Sequence, residues 1–298
     1  PILGTKSMVS IVIREKNGKK YLYLKHSTGN RQKEKYLGLV IPKNIDDVKK
    51  KFLEEFYDEE WNEKIKIISV NYKKESKKKP ASIKLKEFET FGISFTYNTQ
   101  RIEGSNLTES DTKDLLIHGV TPAKKSQIDV METKKHYDLF MKLVTSKKQF
   151  ITKKIMLSWH KEIFDQTKIG EAGNIRSYNV GISTNDKIEF VAVPEISKNL
   201  QEFFSWLKKD NKINYVKLAA LAHYKFVSIH PFGDGNGRIS RLIMNYILWD
   251  YDCPLLLIKN SEKRAYFKSL EKSQLKKDEI HFLKWFMKYY IKANKQYF

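Results

Sequence analysis

The sequence predicts a mainly α protein, a helical bundle with one inserted β-hairpin, preceded by a small β-meander. Three observations predict it. Apolar and polar residues alternate before residue 40, apolar residues recur at mostly three-, four- and sevenfold spacing after Pro80, and glycine and asparagine clearly interrupt the helical pattern between Gly170 and Pro194. Alternation is the period of a half-buried strand, and the wider spacing is that of a helix facing a core.

The meander comes first. Val9, Ile11 and Ile13 alternate with Ser10, Val12 and Arg14, and Lys16-Asn17-Gly18 supplies turn chemistry because Asn-Gly tolerates positive φ. Tyr21, Tyr23 and His26 form a second run, Ser27 to Asn30 a second break, and Lys35 to Gly38 a third strand. An amphipathic helix begins at Asn44 to Asp47, where Asn44 or Asp46 offers a cap. Lys73 to Pro80 is a basic stretch expected to be a linker or exposed turn. Ile83, Leu85, Phe88, Phe91, Phe95 and Ile102 then mark a helix that Gly104 stops, and Thr108 to Asp111 resembles a capping box. Further helices are expected near 126–147, 151–165, 195–208, 212–229, 237–250 and 261–293, with Ile188 to Val191 as an alternating run in the hairpin. The expected organisation is a meander over 1–43, a helix with a basic linker over 44–80 and a main body over 81–298. Pro1 to Ser7, which precede Met8, are left out of the fold reading.

Composition narrows the classes. The 17 Phe, 16 Tyr and 5 Trp exclude a disordered chain. The 56 Lys and Arg against 35 Asp and Glu give +21, which suggests acidic partners such as nucleotides, nucleic acid or acidic proteins, although a solvated lysine-rich surface also accounts for it. Cys253 is the only cysteine, which excludes an internal disulfide and a cysteine-built zinc site. No apolar run approaches the ~18 residues of a membrane span, and no signal-peptide pattern is seen. A cytoplasmic location without membrane contact is expected.

One segment concentrates chemistry: His230-Pro231-Phe232-Gly233-Asp234-Gly235-Asn236-Gly237-Arg238-Ile239-Ser240-Arg241, between two strongly helical runs. A tight loop entering a helix presents free backbone N–H groups to an anion, and its glycines let the backbone curl around a ligand. Arg238 and Arg241 share a helical face and can fork onto phosphate oxygens. Asp234 is an oxygen ligand suited to Mg²⁺, and His230, with an ordinary pKa near about 6.5, suits a general base. The segment is neither a P-loop nor a dinucleotide fingerprint. His223 and His230 lack a third ligand for a metal site. His160, beside Trp159, reads as a packing residue.

These twelve residues resemble the signature of the Fic family, His-x-Phe-x-Asp/Glu-Gly-Asn-Gly-Arg-x-x-Arg, at every defined position. Ala172 to Arg176, with Val180 and Pro194, is similar to the segment leading through that family's target flap, and Thr99 to Gly104 resembles its inhibitory motif, Ser/Thr-x-x-x-Glu-Gly/Asn. The resemblance covers roughly 85 to 290 and leaves the meander outside. It implies transfer of AMP from ATP to Ser, Thr or Tyr hydroxyls of a target protein and of the chain itself. His230 would take the hydroxyl proton and Asp234 would hold Mg²⁺. Gly235, Asn236 and Gly237 would form an anion hole, with the Asn236 amide contributing, and Arg238 and Arg241 would meet the β- and γ-phosphates. Thr99 and Glu103 would carry inhibition through a Glu103–Arg241 pair. Lys187, Ile188, Glu189, Phe190 and Val191 would align the target, and Tyr266 and Gln274 would face the nucleoside. Gln274 departs from the family's Asn, which leaves base selectivity open. The resemblance also implies removal of AMP as a second activity and a homodimer as one assembly.

Two rival readings stand beside it. The basic meander around Arg14, Lys19, Lys20, Lys25, Arg31, Lys33 and Lys35 suits a nucleic-acid-binding regulator. The other is an interaction module whose site is idle.

Overall fold

The computed structural model describes residues 9–29, 31–182, 185–209 and 214–298, with the side chains of 182 and 185–187 outside the description. The chain divides into two compact units, residues 1–64 and 65–298.

In the first unit β1 (Ser10–Lys16), β2 (Lys19–Thr28) and β3 (Arg31–Gly38) form an antiparallel meander in the order β1-β2-β3. Asn17 and Gly18, at φ 53 and 70, make the tight β1–β2 turn that the sequence predicts. Leu22, Leu24 and His26 are buried on one face, as are Phe52 and Phe56 in the opening turns of α1 (Ile45–Lys78). The His26 ring meets Phe56 edge-on at 4.6 Å. Arg31 lies 4.6 Å over Phe56 and reaches Glu59 at 2.7 Å, Lys33 also binds Glu59, and Lys35 binds Glu55 at 3.2 Å. Acidic positions on the helix thus neutralise the cations of one sheet face.

The basic stretch after Tyr72 corrects an expectation. Lys73 to Lys78 are not a linker but the closing turns of α1. Lysine and glutamate are good helix formers, and only Pro80, which disfavours helical backbone in the residue before it, ends the run. Lys79 then bridges Glu75 and Glu87, each at 2.6 Å.

The second unit is helical: α2 (Ala81–Glu103), α3 (Glu109–His118), α4 (Gln127–Thr145), α5 (Lys153–Phe164), α6 (Val193–Lys208), α7 (Tyr215–Ile229), α8 (Asn236–Asp250), α9 (Lys263–Leu275) and α10 (Ile280–Ala293). Between α5 and α6 lies the expected hairpin, β4 (Gly181–Ile182) paired antiparallel with β5 (Asn185–Glu189). Helices α7 and α8 pack together at the centre, and both are buried nearly all round, as helices enclosed by others must be. Helix α2 packs on α4 closely enough that a Cβ on Gly92 would sit 2.8 Å from Phe140. Among the described residues no helix is long and apolar enough to cross a membrane.

Two boundaries that matter for the site follow local rules. Gly104 ends α2 in the left-handed region at φ 107. Thr108 opens α3 with a reciprocal capping box, accepting from the Asp111 N–H at 3.1 Å while Asp111 accepts from the Thr108 N–H at 2.8 Å. Together they fix the end of α2, which carries Thr99 and Glu103. Thr108→Ala is expected to cost about 1 kcal/mol. Urea denaturation would show a lower midpoint at unchanged slope, and an unchanged midpoint would contradict a stabilising cap.

Candidate active site

Helix α7 stops because His230 adopts the left-handed conformation, φ 54 and ψ 58, which is uncommon for a residue other than glycine. The carboxamide of Asn236 braces the loop that follows, accepting from the Phe232 N–H at 3.0 Å and donating to the Phe232 carbonyl at 2.8 Å. This gives the side chain a structural role beside the expected one: it closes the loop by satisfying both backbone groups of Phe232. Gly235 sits at φ 83 with Phe164 so close that a Cβ would lie 2.5 Å from the ring. Helix α8 begins at the next residue, and its free N–H groups face outward.

Two residues from the preceding segment hold this loop. His160 stacks on Phe232 at 3.7 Å, accepts the Gly173 N–H on Nδ1 at 2.9 Å and therefore donates from Nε2 to the Asp234 carbonyl at 3.0 Å. It packs, as expected, and also positions the loop. Arg176 is buried and donates to the carbonyls of His230 at 2.8 Å, Tyr178 at 2.7 Å and Val191 at 2.5 Å. It ties the loop to the base of the hairpin.

The His230 ring stacks on Phe190 at 3.8 Å, and Nδ1 lies 3.3 Å from the Val227 carbonyl. A carbonyl only accepts, so Nδ1 carries the proton and the Nε2 lone pair is free. Burial pushes the imidazole down to about 4, below the ordinary value expected from sequence, so it is neutral around pH 7. Burial opposes ionisation of Asp234, but Arg238, Lys168 and the Gly235 N–H outweigh it and hold the carboxyl below its usual range. The Asp234 carboxylate is approached by Lys168 at 3.1 Å and by Arg238 at 3.2 Å.

Arg238 is buried over the Phe164 ring at 4.4 Å, pairs with Glu132 and reaches Gln100 at 3.3 Å. Arg241 is the more enclosed, its side chain 1% exposed. It donates to Glu103 at 2.5 Å, to the Thr99 carbonyl at 3.3 Å and to the Tyr266 hydroxyl at 3.4 Å. Burial works against its charge, and the Glu103 carboxylate more than restores it. Glu103, 29% exposed, also lies against Gly237, where a Cβ would collide with its carboxylate. A carboxylate therefore sits at the α8 N-terminus, the place where a helix binds anions.

A cavity of about 720 Å³ brings these groups to one space, with Glu103, His230, Asp234 and Gly237 at one side and Phe267, Leu270, Glu271 and Gln274 along α9. Tyr266 lines it and is fixed from behind by His223 at 2.8 Å. Ile188 and Phe190 form the hairpin side. The hairpin run is shorter than expected. Strand β5 ends at Glu189, because Phe190 turns onto His230 and the Val191 carbonyl is taken by Arg176. The Lys187 side chain lies outside the described residues. Among the described residues no three His, Cys, Asp or Glu side chains gather as a metal site. Asp234, partly exposed on the cavity wall, suits a cation whose other ligands are phosphate oxygens and water.

Sequence reasoning missed Glu132, Lys168 and the positioning part of Arg176. Glu132 was hidden because it sits in an ordinary helical run, and only its burial reveals it. For Arg176, a lone arginine among Asn174, Ile175 and Ser177 was the available signal.

Residues 150–248 match the Fic/DOC family model, and the helical body carries a Fic domain. The chain is 32% identical over 184 residues to the protein adenylyltransferase Fic of Drosophila mojavensis, covering 59% of this chain and 35% of that protein. It is 33% identical over 183 residues to that of Nematostella vectensis, covering 59% and 42%. The chain thus spans well under half the length of these relatives. A Fic-domain-containing signaling protein from Bacteroides thetaiotaomicron superposes with a TM-score of 0.70 at 25% identity, over 78% of this chain and 96% of the other.

Burial lowers His136 to about 3 and His160 to about 4, and lowers His223 well below its ordinary value. Between pH ~6.5 and ~4 the unfolded chain takes up protons at these imidazoles and the folded chain does not, so stability falls as pH drops through that window. Thermal midpoints should decline steadily from pH 7 to pH 5, and a flat profile would contradict neutral buried histidines.

Proposed function

We propose that this chain transfers AMP from ATP to a hydroxyl group of a protein, and that Glu103 restrains the transfer. The observation that carries the reading is the meeting of His230, the α8 N-terminus and Glu103, itself paired with Arg241, at one cavity. The names of the relatives support the class of reaction.

In this mechanism ATP lies with its phosphates at the α8 N-terminus, where the Gly235 to Gly237 backbone and the helix dipole stabilise negative charge. The neutral His230 accepts the proton of a target Ser, Thr or Tyr hydroxyl on Nε2. The hydroxyl oxygen forms a bond to the α-phosphorus, the bond to the β-phosphate bridge breaks, and pyrophosphate leaves. General-base assistance of this kind is worth about 10²- to 10⁴-fold. Asp234 would hold Mg²⁺ against the phosphates, which would neutralise charge as the bond breaks. For that, Lys168 and Arg238 must yield the carboxylate to the cation. The β5 edge would align the target by main-chain pairing, and Tyr266 and Gln274 would flank the nucleoside.

Glu103 enters as a competitor. Its carboxylate takes the anion seat and the guanidinium that the terminal phosphates need. That carboxylate already neutralises the buried Arg241, so ATP gains the guanidinium only by displacing Glu103. Glu103→Gly incubated with ATP and Mg²⁺ should gain adenylate on a hydroxyl residue of its own chain, well above wild type by intact-protein mass spectrometry. His230→Ala added to that variant should remove the gain. Equal modification in wild type and Glu103→Gly would overturn the restraint, and persistent transfer without His230 would overturn the base.

A further inference from the structure

The first unit is untouched by this chemistry, and its two sheet faces differ in charge. Residues 9–43 carry Arg14, Lys16, Lys19, Lys20, Lys25, Arg31, Lys33, Lys35 and Lys43 against only Glu15 and Glu34. On the face toward α1, Arg31, Lys33 and Lys35 are spent on Glu59 and Glu55. The opposite face follows from the register, since directly paired residues share a side. Val12 pairs with Tyr23, Arg14 with Tyr21, Lys16 with Lys19, and Tyr23 with Tyr36. Three tyrosines therefore meet on that face: Tyr36 lies 5.2 Å from Tyr23 and 6.2 Å from Tyr21, and Arg14 lies 5.2 Å over Tyr23. Tyr36 is 51% exposed. Glu34 is the one acidic side chain there, bound by Arg14 at 2.5 Å and Lys25 at 3.9 Å, while Lys16 and Lys19 enter no ion pair among the described residues.

We infer that this face binds single-stranded nucleic acid, with unpaired bases stacking on the tyrosine cluster and the backbone phosphates tracking Arg14, Lys16, Lys19 and Lys25. Charge complementarity selects a polyanion. The aromatic cluster selects one with exposed π-faces, since stacking on aromatic side chains is how single strands are held without a sequence code. An acidic peptide offers the charge without the rings, and a duplex keeps its bases stacked on each other.

The test is fluorescence anisotropy of the full chain with labelled single-stranded DNA and RNA oligonucleotides, the matching duplex and an acidic peptide, across a salt series. A chain of +21 attracts any polyanion, so the deciding variants are those that keep the charge. Tyr36→Ala should weaken single-strand binding on the order of tenfold, while Tyr36→Phe, which keeps the ring, should bind as wild type does. Lys16→Ala with Lys19→Ala, at the exposed hairpin end, should flatten the salt dependence by about one unit of slope. Lys33→Ala, on the other face, should leave both unchanged. Folding of each variant is followed by circular dichroism, and the lysine pair decides the matter if Tyr36→Ala misfolds. The proposal is overturned if duplex or peptide binds as tightly as the single strand, if a folded Tyr36→Ala binds as wild type does, or if the lysine pair leaves the salt slope unchanged. His230→Ala should bind as wild type does, which separates this surface from the transfer site.

Discussion

The site is organised around one buried cation. Arg241 lies enclosed within the helical body, and a guanidinium cannot shed its proton there, so the fold must supply an anion or dipoles in its place. Three partners do so: Glu103, the Thr99 carbonyl and the Tyr266 hydroxyl. Each comes from a helix other than α8, and each contact fixes where that helix ends or faces. The end of α2 is held by Gly104 and the α3 capping box, Tyr266 is fixed from behind by His223, and α8 is central because it is buried nearly all round. Arg238 repeats the arrangement one turn earlier with Glu132 and Gln100. On the proposed function, the requirement that stabilises the resting chain, an anion beside Arg241, is the one that ATP must satisfy instead.

Charge is handled differently at the buried histidines. His230, His160, His136 and His223 are all held neutral by burial. For three of them this keeps charge out of the core and lets the rings pack and brace. For His230 it leaves a free lone pair at Nε2 in a ring fixed by Phe190 and by the carbonyl of Val227, which on the proposed function keeps the base ready through the neutral range.

Much of this was legible in the sequence, for identifiable reasons. Period and punctuation located the meander, the helices and the hairpin, and the capping box at Thr108 was readable because it is local. The twelve residues from His230 were readable because glycines and cations at close spacing are what an anion-binding loop would demand. The pairing of Glu103 with Arg241 became legible only through family resemblance, since they lie 138 residues apart. What resisted was set by three-dimensional contact. Lys73 to Lys78 looked like a linker because charge runs do not reveal whether α1 continues through them. The brace that Asn236 gives the loop was hidden until the backbone needs of Phe232 were visible. Glu132 carries no local mark of its burial, and strand β5 stops short because contacts from Arg176 and His230 claim the residues after it.

The central claim is that one guanidinium is contested between a carboxylate and the terminal phosphates of a nucleotide. Isothermal titration calorimetry with Mg²⁺ tests it by comparing ATP and AMP on wild type and Glu103→Gly. Removing the carboxylate should tighten ATP about tenfold or more, a gain of roughly 1.4 kcal/mol or above. AMP, which lacks the phosphates that would reach Arg241, should bind both proteins alike. Equal ATP affinity in the two proteins, or an equal gain for AMP, would contradict the account.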